Sequence, residues 1–73
     1  MEELMSACQK FLDGSYKIED FTRFLSWVGV PSEFIEIVNE TEQNLERIMV
    51  TEFEENWYQE GSKVVLELLK VIS

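Results

Sequence analysis

Apolar residues recur at three- and four-residue intervals along almost the whole of this 73-residue chain, and that period decides the fold class. Leu4, Met5, Cys8, Phe11 and Leu12 form the first stripe, and Gly14 follows as a left-handed stop. Ile18, Phe21, Phe24, Leu25 and Val28 form the second, which ends at Gly29. Pro31 stands where a first helical residue is expected, with Ser32 and Glu33 giving that turn its polarity. Phe34, Ile37, Val38, Thr41, Leu45, Ile48, Met49 and Phe53 carry a third stripe, and Trp57, Val64, Val65, Leu68, Leu69 and Ile72 a fourth. Alternation of period two never persists, and hairpin turn pairs such as Asn-Gly are absent. The pattern predicts an all-α, compact, four-helix bundle-like single domain, with helices at approximately 2–13, 18–28, 32–53 and 57–72.

Two boundaries have more than one reading. Asn39 with Glu42 resembles a capping box that would break the third helix near 39–41, but the stripe keeps its phase there, which favours one long helix. Gly61 is either a helix boundary with Ser62 as cap or a close helix–helix contact. Asn56 with Gln59 offers the start of the last helix. A chain this short buries only about 60% of its unfolded surface, so its core must be efficient or be completed by a partner.

Several chemistries lack their residues. There is no histidine and a single cysteine, Cys8, which excludes an internal disulfide, a Cys/His zinc site and any Ser-His or Cys-His catalytic pair. No calcium loop, di-iron motif, phosphate loop or nucleophile elbow is present, so no metal, no cofactor and no enzymatic activity are expected. Cys8 reads as a small core residue. No segment approaches the roughly 20 apolar residues of a membrane span, and Met1-Glu2-Glu3 opens acidic where a secretory signal opens basic. With a lone thiol, that points to the cytoplasm.

The charge is concentrated. Of a net −9, residues 33–60 hold nine acids against Arg47 alone, a net −8. Glu36 and Glu40 are four apart, as are Glu42 and Glu46, and each like-charged pair costs its helix about 0.2–0.5 kcal/mol. Direct binding to nucleic acid or an anionic membrane needs the opposite sign. The clustering is either a solvated face that keeps a small protein soluble or a surface shaped for a strongly basic partner. Trp57 and Tyr58 lie inside the acidic run; helix phase puts Trp57 in the core and leaves Tyr58 nearer the surface, a rigid anchor ringed by carboxylates. The candidate partner-binding residues are therefore Glu36, Glu40, Glu46, Glu52, Glu54, Glu55, Tyr58 and Glu60.

The run from Phe11 to Phe21, Phe-Leu-Asp-Gly-Ser-Tyr-Lys-Ile-Glu-Asp-Phe, resembles the N-terminal signature of the small acidic helical immunity proteins of the colicin-like family. The acidic middle and a closing amphipathic helix are similar too. The resemblance implies a cytoplasmic toxin inhibitor whose carboxylates occupy the basic active-site cleft of a toxin nuclease, standing where phosphates would lie. The alternative is a small homo-oligomeric structural or regulatory subunit, with an exposed edge of Trp27, Phe34, Met49 or Phe53 buried in a homodimer.

Overall fold

The computed structural model describes residues 1–73 and contains helices α1 (Glu2–Leu12), α2 (Ile18–Trp27), α3 (Ser32–Thr51) and α4 (Trp57–Ile72), with no strand. A single 3-10 turn, Glu54–Asn56, precedes α4. Its radius of gyration, 11.2 Å, matches the roughly 11 Å of a compact domain of this length. Its accessible surface, 4781 Å², is close to the roughly 4,700 Å² of a folded monomer of this mass.

Local chemistry explains the boundaries. α1 ends in a Schellman motif: the Gly14 amide donates to the Phe11 carbonyl and the Ser15 amide to that of Lys10, with Gly14 at φ 89°. Gly29 does not end α2 in the same way. The chain leaves α2 at Val28 with extended backbone, and Gly29 is outside the left-handed region. Pro31 stands one residue before α3, where its carbonyl accepts the Phe34 amide at 2.9 Å. A residue preceding proline is pushed out of the helical region, so α2 cannot run on into α3.

α3 is continuous across the possible break. Thr41 is buried and its hydroxyl donates to the Ile37 carbonyl at 2.8 Å, which satisfies it within an unbroken helix. Asn39 is exposed and caps nothing. The helix ends at Thr51, two residues before the end expected from the stripe. Asn56 is the residue before α4, but its side chain makes no capping bond; the 3-10 turn leads the chain in.

All four helices feed one core. Leu4, Cys8 and Phe11 from α1, Phe21 from α2, Leu45 from α3 and Val65 and Leu68 from α4 are fully buried. Phe11 lies at the centre, with the Phe21 ring 5.5 Å away between centroids and Tyr58 5.6 Å away.

Gly61 is inside α4 and buried, which settles its role as a close contact. A Cβ there would lie 2.9 Å from Cζ of Phe11 and 3.3 Å from Cδ1 of Ile18. Alanine would gain about 0.8–1 kcal/mol of helix propensity, but overpacking a ring held on several sides costs about 1–3 kcal/mol. Gly61→Ala is therefore expected to lower the thermal midpoint by several degrees, about 4–8 °C per kcal/mol, whereas Gly29→Ala meets open space and should not. Scanning calorimetry of the two variants checks the pair.

Candidate functional site

α3 buries Val38, Thr41 and Leu45 and turns its remaining residues outward. At about 100° per residue, Glu36, Glu40 and Glu46 share an arc of roughly 120° on the outward half, spread over about 15 Å of axis. Glu40 lines a shallow groove between α3 and α4 that also holds Lys63 and Glu67. Glu46 is on the opposite edge of the arc and approaches the C-terminal end of the helix.

That end makes the densest part of the surface. The chain leaves α3 at Glu52 with extended backbone (φ −106°, ψ 154°) and stays extended through Phe53. The indole of Trp57 donates from Nε1 to the Glu52 carbonyl at 3.1 Å, and the Asn56 amide donates to the Phe53 carbonyl at 2.9 Å. The backbone is thus pinned on both sides of the bend. Glu52, Phe53, Glu54 and Glu55 all point to solvent. Trp57 is half-buried against the core, as helix phase requires.

Of the eight expected residues, Glu52, Glu54, Glu55 and Tyr58 are gathered at this bend. Glu36 and Glu40 lie in the first half of α3, with Glu36 about 24 Å along the axis from Glu52. Glu60 is already engaged, 3.3 Å from the Lys63 ammonium. Tyr58 is half exposed, but one side of it is committed inward: its ring stacks on Phe11 and its hydroxyl donates to the Leu12 carbonyl. It braces α4 against the end of α1 as well as facing outward. Tyr58→Phe keeps the stack and loses a hydrogen bond worth about 0.5–1.5 kcal/mol. Chemical denaturation is expected to record that loss.

Phe53 belongs to the surface, contrary to its place in the buried stripe. It is 77% exposed, and Val50, three residues earlier, is 84% exposed. At 100° per residue Phe53 falls at the edge of the stripe, and the extended backbone at Glu52 turns the chain away from the core. Val50, on the helix side opposite Thr41, carried a clear signal from its phase alone.

The ion pairs show how little of this charge is answered internally. Each joins residues three apart in one helix: Asp20–Arg23 at 3.7 Å, Glu60–Lys63 at 3.3 Å and Glu67–Lys70 at 3.6 Å. None involves α3 or the bend. Glu36, Glu40, Glu46, Glu52, Glu54 and Glu55 have no Lys or Arg within 4 Å, and Arg47 pairs with no acid.

The acids do not converge. No three carboxylate or thiol groups come together in a way that could hold a metal ion. Burial pushes the Cys8 thiol up to about 11, so it is protonated and shielded at neutral pH. Alkylation of Cys8 near pH 8 is expected to proceed only as fast as the domain opens, which a comparison of labelling and unfolding rates checks. Beside the bend is an open groove of about 310 Å³, lined by Phe11, Tyr16, Trp57 and Tyr58 together with Glu19, Glu54 and the one cation Lys17. No helix is long and apolar enough to cross a membrane. No protein-family model, curated protein or solved structure matches the chain.

Proposed function

We propose that this chain is an immunity-type protein that binds a strongly basic partner, a toxin nuclease domain, and inhibits it by covering its active-site cleft in the cytoplasm. One observation carries the reading. Six glutamates on the outward half of α3 and on the bend have no cation of their own, although like charges at four-residue spacing weaken the helix that bears them. A cationic cleft would relieve that repulsion and would be steered toward it at long range. The resemblance of Phe11–Phe21 to the colicin-like immunity signature points the same way. The chain acts by binding, with no chemistry of its own.

The test is growth rescue. Cells expressing a basic nuclease domain encoded beside this chain should survive when the chain is co-expressed, and should die when Glu52, Glu54 and Glu55 are all glutamine. Equal rescue by both forms would contradict the reading.

Trp27 favours a second reading, as a homo-oligomeric subunit. It is 65% exposed, edge-on to Phe24 at 5.1 Å, and forms an apolar spot on α2. Sedimentation separates the two: a stable dimer lost in Trp27→Ala supports the second, and a monomer at micromolar concentration the first.

A further inference from the structure

We infer that the binding surface is organised around an apolar anchor, Phe53 with Val50, and that its partner presents an apolar pocket rimmed by lysine or arginine. This rests on the proposed function and says which side chains would make the central contact. Phe53 is 77% exposed and Val50 84%, the two most exposed of the large apolar side chains. The Phe53 backbone is not loose: the Trp57 indole holds Glu52 on one side, and the Phe53 carbonyl accepts the Asn56 amide on the other. The ring is presented to solvent by a braced bend. Its sequence neighbours Glu52, Glu54 and Glu55 are exposed carboxylates, and Glu46 lies one helical turn before Val50. An apolar centre with a charged surround is the arrangement in which a buried side chain supplies affinity and the charges supply rate and selectivity.

The charge selects the occupant. A second copy of this chain meeting the patch symmetrically would bring Glu52, Glu54 and Glu55 against their own counterparts, with no cation between them. Nucleic acid and anionic lipid are repelled for the same reason. A cationic protein surface answers both parts, since its basic rim meets the carboxylates while its pocket takes the ring.

Two cationic peptides of equal charge test this, one alternating lysine with leucine and one alternating lysine with serine, each titrated into the isotopically labelled chain and followed by amide NMR. The leucine peptide is expected to bind about tenfold more tightly. It should also shift the amides of Val50 and of residues 52–56 most. Phe53→Ala should abolish that preference while leaving thermal stability unchanged. Equal binding of the two peptides, or a preference that survives Phe53→Ala, would overturn the anchor and leave the acidic surface standing. If replacing Glu52, Glu54 and Glu55 by glutamine leaves both affinities unchanged, the acidic reading itself fails. A dimer in sedimentation that Phe53→Ala dissolves would assign the patch to a second copy and overturn the inference.

Discussion

Replacing Phe11 by alanine is expected to bring this domain close to unfolding at room temperature. The ring is 1% exposed and is gripped by Phe21 from α2 and by Tyr58 and Gly61 from α4. Removing a buried phenylalanine costs about 3–5 kcal/mol, through lost transfer energy and the cavity left behind. A domain of this length has roughly 4–11 kcal/mol to lose. The thermal midpoint should fall by more than about 12 °C, and urea should unfold the variant at a much lower concentration. Phe53→Ala, the same change made at the surface, should stay within about 0.5 kcal/mol of the parent. A similar loss at the two positions would mean that the burial of Phe11 is not what holds α1 to α4.

The second large effect lies in binding. Changing Glu52, Glu54 and Glu55 together to glutamine removes three carboxylates that have no partner of their own. Exposed charge pairs are worth about 0.2–1 kcal/mol each, so three of them should weaken a basic partner's affinity by about threefold to a hundredfold at low salt. Much of that should appear in the association rate. Stability should move the other way. Glu36→Gln and Glu46→Gln each relieve a four-residue repulsion and should raise the stability of α3 by about 0.2–0.5 kcal/mol. A surface that binds worse and a helix that melts later, from the same class of substitution, would mark residues kept for binding at some cost to folding. Isothermal titration together with thermal melts reads both.

The helices were legible in the sequence because each is held by its own apolar stripe. α1, α2 and α4 lie where the spacing puts them, and the persistence of phase across Asn39 correctly indicated a continuous α3. Gly14 was legible as well, as a left-handed stop just past the first stripe, whereas Gly29, read in the same way after the second, has no such role. What escaped depended on tertiary geometry. Nothing beside Gly61 in the chain says that Phe11 will come within 2.9 Å of a Cβ placed there. Tyr58 reads as a surface aromatic until the Leu12 carbonyl, 46 residues earlier, comes within reach of its hydroxyl. Phe53 was lost for a different reason. The Trp57 indole captures the Glu52 carbonyl and favours a bend where helix propensity alone would carry the chain on. Asn56, with Gln59 three residues on, read as a cap, but its side chain makes no capping bond and a 3-10 turn leads into α4 instead. Of the candidate site, the carboxylates at the bend were legible from charge and Val50 from its helix phase, whereas the stripe placed Phe53 in the core and only the homodimer alternative placed it at an exposed edge.

The most direct measurement is the dissociation constant of the complex with a basic nuclease domain, followed from about 0.05 M to 1 M salt, over which the screening length falls from more than 10 Å to about 3 Å. Affinity should weaken steadily and steeply across that range, and the slope should flatten when Glu52, Glu54 and Glu55 are glutamine. A constant that stays level from one end of the series to the other would show that the unpaired carboxylates of α3 and the bend are not what the partner recognises.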